Sequence, residues 1–177
     1  IKNTAKVTVN GVTGDVVSEV ITPKVGTVVS KKTTTSTTYA PGEEITYTLT
    51  ETNSGGKSTV KVEDLIASQK TTDAGGTSIN AFSSWSYTSS VSGTGSVSGN
   101  TASGSSDIID TLTMTGDVVV TYTIKAKVSL QAAGDIKNTA KVTVNGVTGD
   151  VVSEVITPKV GTVVSKKTTT STTYAPG

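Results

Sequence analysis

Apolar and polar residues alternate along several stretches of the chain, which is the pattern of half-buried β-strands. The clearest is EITYTLTETN (44–53), where Ile45, Tyr47 and Leu49 share one face and threonines occupy the other. The same two-residue period appears in TVVSKKTTT (27–35), STVKVEDLIA (58–67), DVVVTYTIKAKVSL (117–130) and IKNTAKVTV (136–144). Gly, Ser and Asn cluster between these stretches, and no helical period competes with them. The pattern predicts an all-β fold, an immunoglobulin-like antiparallel β-sandwich.

Two Gly- and Ser-rich segments interrupt this pattern. We predict that NSGGK (53–57) is a Gly-rich hairpin loop between two neighbouring strands. Residues 86–107 are mostly Ser, Gly and Thr, which favours a loop or a weak hairpin. Phe82 and Trp85 just upstream are predicted core anchors. The alternative is that they form, with Tyr87, an aromatic platform for carbohydrate.

The chain contains a perfect repeat, because residues 1–42 and 136–177 are identical. We expect a window cut from an array of near-identical modules offset by 135 residues; the alternative is a segment duplicated to close a permuted domain. The array predicts the closing strands of a preceding repeat in 1–26, one complete module in 27–158, and a linker with the first strand of the next repeat in 159–177. The short connection TPKVGT then predicts semi-rigid stacking of modules end to end.

The composition excludes several classes of function. The chain has no Cys and no His, so it lacks thiol nucleophiles, Ser–His–Asp triads and Cys/His zinc sites. We therefore expect no cofactor, no metal and no enzymatic turnover. The net charge of +1, with both signs interspersed, argues against a nucleic-acid surface. No apolar run approaches the roughly 18–20 residues of a membrane span, and the first residue, Ile rather than Met, suggests a fragment or a processed chain.

On three strands, polar residues share a face with apolar ones. Asn138 alternates with the aliphatic residues of 136–144, and Asp64 alternates with the valines of 58–67. In the first strand Lys31 and Lys32 occupy opposite phases, each in phase with one valine. A buried Lys, Asp or Asn is costly unless it has a partner, so we expect these residues to meet in the core.

A Lys amine, an Asn amide and a carboxylic acid can form an isopeptide bond. Burial favours the neutral, nucleophilic amine and the protonated acid, and the amide then loses ammonia. Our first candidates are Lys31 and Asn138, with Asp64 as the assisting acid; Lys32 and Glu51 are held in reserve. The alternative is structural: the two lysines solvate a strand edge, the Asp lies in a turn, and the Asn bonds a loop backbone.

A succession of motifs supports this chemistry. APGEEITYTLTETNSGG, VKVEDLIA, TYTIKAKV and IKNTAKVTV, together spanning about 29–145, resemble the conserved-repeat domain of bacterial and archaeal surface proteins, known as domain of unknown function eleven. The resemblance implies tandem immunoglobulin-like stalk modules, and related adhesin and pilin domains carry Lys–Asn isopeptide bonds. By position, Lys31 matches the first-strand lysine, Asp64 the acid and Asn138 the Asn of N-T-A. The adjacent Lys32 leaves the lysine ambiguous.

The expected function is therefore structural. We expect an extracellular module at a cell surface or cell wall, part of a fibre, stalk or adhesin, whose partners are identical repeats or subunits joined end to end. One alternative is an adhesin module that binds a glycan or host protein through residues 68–107. Another is a filament subunit in which 1–26 completes a neighbour by strand donation.

Overall fold

The chain folds into β-strands in the computed structural model, which describes residues 2–18, 22–160 and 167–168. The strands are β1 (Thr4–Val9), β2 (Val12–Val17), β3 (Gly26–Thr34), β4 (Thr38–Tyr39), β5 (Glu44–Gly55), β6 (Lys57–Asp64), β7 (Lys70–Thr72), β8 (Ser78–Asn80), β9 (Phe82–Gly93), β10 (Ser96–Ser98), β11 (Ser103–Gly104), β12 (Ile108–Thr115), β13 (Val118–Val128), β14 (Thr139–Val144), β15 (Val147–Val152) and β16 (Thr157–Pro158). One 3₁₀ turn, Ile66–Ser68, follows β6. Within the described ranges no helix is long and apolar enough to cross a membrane.

Two five-stranded sheets face each other. The first has the order β10–β12–β6–β14–β15 and the second the order β11–β9–β13–β5–β3, and every pairing within them is antiparallel. The two long edge strands on one side of the sandwich are β15 of the first sheet and β3 of the second. The predicted immunoglobulin-like antiparallel β-sandwich is confirmed.

The core lies between the sheets and follows from the alternation of the strands. On β5, Ile45, Tyr47 and Leu49 point inward, as their phase predicts, while the threonines between them are half-exposed. The largest fully buried side chains are Tyr39, Tyr47, Tyr122, Ile45, Leu49, Ile66, Ile108, Leu112, Met114, Ile124, Ile136 and Ile156. Burying an aliphatic or aromatic side chain of this kind stabilises the fold by about 1.5–3 kcal/mol. This rigid interior positions the polar residues described below.

The Gly-rich segment 53–57 is a crossover between the sheets, so the predicted hairpin loop is wrong. The strand before it, β5, belongs to the second sheet, and the strand after it, β6, belongs to the first. Glycine is needed there because Gly55 has a φ of +86° and a Cβ on Gly56 would lie 1.8 Å from the carbonyl oxygen of Lys24. The glycines correctly predict a turn in the backbone, but they do not specify which strands pair on either side of it.

Much of the Ser/Gly-rich segment 86–107 forms β-strand. Residues up to Gly93 continue β9, which pairs with β13 along its length, and β11 returns to pair with β9. The loop interpretation is therefore wrong for 86–93. Phe82 and Tyr87 are buried, and Trp85 is half-buried against the core, so their rings do not form an exposed carbohydrate platform.

The chain enters and leaves the sandwich at opposite ends. The Lys57 amide donates to the carbonyl of Lys24 at one end of β5. At the other end, the Lys159 amide donates to the carbonyl of Tyr39 and its Nζ lies 2.8 Å from Oε2 of Glu43. The twelve residues of β5 separate these ends by about 40 Å. A pull on both termini therefore acts along the strands.

Outside the sandwich, β1 and β2 form a separate two-stranded hairpin whose residues 2–18 are all exposed. Most of the predicted first strand of a following repeat, in 159–177, lies outside the described residues. The division into 1–26, 27–158 and 159–177 as parts of successive repeats stays a prediction.

Candidate crosslinking site

Lys32, Asp64 and Asn138 meet in the core. Lys32 lies on β3, Asp64 ends β6, and Asn138 immediately precedes β14. The Nζ of Lys32 donates to Oδ2 of Asp64 at 2.5 Å and to Oδ1 of Asn138 at 2.7 Å. None of the three is more than 2% exposed. The amine therefore touches both the acid and the amide in a site closed to solvent.

The lysine of this cluster is Lys32, which corrects our first choice of Lys31. On β3 the inward phase contains Val28 and Lys32, because Val28 packs against the core whereas Val29 is 61% exposed. Lys31 lies opposite Thr50 on the outer face and is exposed. Lys32 lies opposite Leu49, which is fully buried. The reserve candidate therefore has the position that the chemistry needs.

Asp64 and Asn138 lie where their strand phases predicted. Asp64 is buried in line with Val60 and Val62, and Asn138 is buried between Ile136 and Ala140. Both belong to the first sheet or its immediate approach, whereas Lys32 belongs to the second. The cluster therefore bridges the two layers of the sandwich.

Two backbone contacts hold Asn138 in place. The Ser153 amide donates to the Asn138 carbonyl at 2.9 Å, and the Asn138 amide donates to the Ser153 hydroxyl at 3.2 Å. Ser153 follows β15, so these bonds lock the open end of the β14–β15 hairpin beside the lysine. Sequence analysis missed Ser153, since a lone serine at the end of a strand has no distinguishing signal.

Burial changes the protonation of the pair. Desolvation lowers the pKa of Lys32, although the Asp64 charge opposes the shift. Desolvation likewise raises the pKa of Asp64, opposed by the charge of Lys32 and its hydrogen bond. Both directions favour a neutral amine beside a protonated acid over a buried ion pair. A neutral amine is the nucleophilic form of lysine.

Tyr47 forms one wall of the site. Its ring centroid lies 5.9 Å from the Nζ of Lys32, and its ring also packs edge-on against Phe82. Burial, with a further contribution from the Asp64 charge, raises the pKa of Tyr47, so the phenol stays neutral. Tyr47 was recognised from its phase as a core residue, but the pattern did not indicate its contact with the lysine.

Two polar atoms of the cluster have no hydrogen-bond partner among the described residues: Oδ1 of Asp64 and Nδ2 of Asn138. A buried polar atom without a partner costs about 1–3 kcal/mol. In the condensation of a lysine with an asparagine, Nδ2 is the atom that leaves as ammonia. The reaction would therefore remove one of the two unsatisfied atoms from the core.

Glu51, the reserve acid, belongs to a different part of the core. It is fully buried on β5, and the hydroxyl of Ser30 donates to its Oε2, while Lys32 donates to Asp64 instead. Desolvation raises the pKa of Glu51 to about 7, with the Ser30 hydrogen bond opposing the shift. Glu51 is thus a buried titratable group in another part of the core and not the acid of the cluster. Among the described residues, no group of three or more carboxylates could hold a metal ion.

Comparisons with known proteins give distant structural similarities. No family model matches the chain, and no curated protein matches it. A family 123 glycoside hydrolase from Clostridium perfringens is similar with a TM-score of 0.41 and 15% identity, covering 76% of this chain and 28% of the hydrolase. The C-terminal domain of AspA, an antigen I/II-family protein of Streptococcus pyogenes, gives 0.31 and 16%, covering 83% of this chain and 49% of that one. The BspA_C_WT structure gives 0.33 and 17%, covering 90% and 58%.

Proposed function

We propose that this protein is a structural repeat module of an extracellular fibre, stalk or adhesin, stabilised by an intramolecular isopeptide bond between Lys32 and Asn138, with Asp64 as the assisting acid. The observation that carries the proposal is the position of the Lys32 amine, enclosed in the core and within hydrogen-bond distance of both the amide and the acid. A lysine in that position serves no surface role.

The bond forms in one condensation. The neutral Nζ of Lys32 attacks Cγ of Asn138, while the protonated Asp64 donates to the amide oxygen and stabilises the tetrahedral intermediate. Asp64 then relays the proton that Nζ loses to Nδ2, which departs as ammonia. The products are one amide bond and one ammonia, with Asp64 returned to its starting state. The reaction happens once per module, so the protein is not a turnover enzyme.

The placement of the bond suits a load-bearing module. The crosslink joins β3, the first strand of the sandwich, to the start of the closing hairpin, β14–β15, in the opposite sheet. The chain enters and leaves at opposite ends, so a pull on the termini would load these two elements first. A covalent bond between them keeps the 105 residues that separate Lys32 from Asn138 out of the loaded path.

The chain's own residues support the proposed cellular setting. The motif resemblance to conserved-repeat stalk domains and the Thr-rich outer faces support an extracellular, cell-surface or cell-wall location. The identical segments 1–42 and 136–177 support identical modules as the neighbours, joined end to end.

Peptide mapping tests the bond and its lysine together. Proteolysis of the purified chain should release a branched peptide that joins the Lys32 segment to the Asn138 segment. Lys32→Met should abolish the branch, whereas the matched control Lys31→Met, which changes the exposed neighbour, should retain it. Two separate linear peptides from the unaltered chain would refute the crosslink, and a branch retained in Lys32→Met would refute this lysine.

A further inference from the structure

Gln69 joins the backbone next to the acid to the backbone next to the asparagine. Its Nε2 donates to the carbonyl of Leu65, which follows Asp64 in the chain, at 3.0 Å. The same nitrogen donates to the carbonyl of Thr139, which follows Asn138, also at 3.0 Å. The Thr139 amide donates in return to Oε1 of Gln69 at 3.1 Å. One side-chain amide therefore ties together the two chain segments that carry Asp64 and Asn138.

The side chain of Gln69 takes the place of a strand pairing that the sheet does not make. β14 pairs with β6 as far as Glu63, and continuing this register by two residues would place Leu65 opposite Thr139. Leu65 instead leaves the strand, because its ψ of 74° begins the 3₁₀ turn Ile66–Ser68. A side-chain amide carries an acceptor and donors, as a peptide group does. Gln69 therefore satisfies both backbone groups of Thr139 that a neighbouring strand would otherwise pair.

The backbone of Gln69 is itself anchored at both of its polar groups. Its amide donates to the carbonyl of Ile66 at 3.3 Å, which closes the 3₁₀ turn. Its carbonyl accepts from the amide of Ala81 at 2.8 Å, and Ala81 is fully buried in the core. The side chain of Gln69 is half-buried. Its amide thus extends from a fixed backbone, which is the support that a precise site needs.

Gln69 supplies a link that the other contacts of the asparagine do not. The two bonds to Ser153 fix the backbone of Asn138 relative to β15. The bonds from Gln69 fix the same segment relative to the end of β6, where Asp64 lies. The condensation needs the acid and the amide to reach one amine together, and a misplacement of about 1 Å can slow a reaction by about 100-fold. The link from Gln69 therefore acts on the geometry that sets the rate.

We propose that Gln69 is a positioning residue for the crosslink, which holds the Asn138 amide and the Asp64 carboxyl in place around the Lys32 amine. This inference rests on the proposed isopeptide chemistry. The side chain of Gln69 bonds to backbone groups beside the reacting residues, so it takes no proton and forms no bond in the condensation. Its loss changes how fast a folded module reacts and leaves the product the same.

The delay between folding and ammonia loss tests the proposal. A pulse of isotope-labelled amino acid during cell-free translation marks newly made full-length chains, which start unreacted. At each later time, resistance to brief proteolysis measures the folded fraction and intact mass measures the fraction that has lost ammonia. In Gln69→Met, which keeps the size of the side chain without its amide, the delay should be at least about tenfold longer than in the unaltered chain. The matched control Gln131→Met changes the other glutamine, which is exposed, and should keep the original delay.

The outcomes separate the positioning role from a purely structural one. A structural role alone would lower the folded fraction of Gln69→Met and leave the rate of ammonia loss per folded chain unchanged. That result would overturn the positioning role, while ammonia loss from the unaltered chain would leave the proposed function intact. An unaltered chain that keeps its full mass would overturn the proposed function and this inference with it. If Gln69→Met does not fold, Gln69→Glu repeats the comparison, because it keeps the acceptor for the Thr139 amide and loses the donated bonds; an unchanged delay in that variant would also overturn the inference.

Discussion

Removal of the proposed crosslink should increase the length of polypeptide that unfolds and extends under a pulling force. Asn138→Ala removes the amide that Lys32 is proposed to attack, so in this variant β3 and the closing hairpin are held together by noncovalent contacts alone. Under load the whole sandwich can then unravel. With the proposed isopeptide bond in place, the force on the unaltered chain would pass from β3 through that bond to residue 138, and the intervening polypeptide would carry no load.

The size of the difference follows from the positions of the two residues. Lys32 and Asn138 are 106 positions apart in the chain. An extended chain spans about 3.3–3.6 Å per residue, so the crosslink withholds about 360 Å of contour length. The segments before Lys32 and after Asn138 extend equally in both proteins and cancel from the comparison.

Single-molecule force spectroscopy with handles at the two termini measures this length. Asn138→Ala should show an unfolding step longer by about 360 Å than any step of the unaltered chain. The matched control Lys31→Met should unfold with the short extension, because Lys31 lies on the outer face. Equal contour lengths in the unaltered chain and in Asn138→Ala would refute the covalent bypass.

Three further predictions concern stability and rate. Because the proposed crosslink would close a loop of 106 positions, its loss in Asn138→Ala should cost about 4.7 kcal/mol and lower Tm by roughly 15–20 °C in calorimetry; an unchanged Tm would contradict the crosslink. Asp64→Asn should slow bond formation at least tenfold in a mass-spectrometric time course of refolding, since the assisting acid is lost; an unaltered rate would exclude Asp64 from the reaction. The pKa of Glu51 is about 7 in the folded state, against an ordinary 4.5 in the unfolded state. The contribution of Glu51 to the free energy of unfolding is therefore fully present below pH 4.5, where the carboxyl is protonated in both states. This contribution falls by about 3 kcal/mol as the pH rises from 4.5 to 7. In the uncrosslinked Asn138→Ala background, Glu51→Gln should therefore raise the free energy of unfolding at pH 8 and flatten its dependence on pH between 4.5 and 7; denaturant titrations that show equal pH slopes would contradict the burial argument.

The candidate site was predictable from the sequence where a strand has one clear apolar phase. Asp64 follows the inward Val60 and Val62, and Asn138 lies between the inward Ile136 and Ala140, so their burial followed from the alternation. β3 is an edge strand in which both phases carry a valine and a lysine. Its pattern could not decide between Lys31 and Lys32, because the inward face is set by pairing with β5.

The fold was predictable at the level of its class and less so in its connections. The alternating strands indicated a sandwich, but the glycines of 53–57 fit a hairpin and a crossover equally well, since both need unusual backbone angles. The continuation of β9 to Gly93 was missed because its exposed Ser and Thr residues resemble loop composition. In both cases the sequence pattern does not show which strands lie next to each other in the folded protein.

The intact mass of the purified chain tests the central claim most directly. The isopeptide account predicts a mass lower than the sequence mass by one ammonia for the unaltered chain and for Lys31→Met. It predicts the full sequence mass for Lys32→Met. An unaltered chain at its full sequence mass would contradict the account.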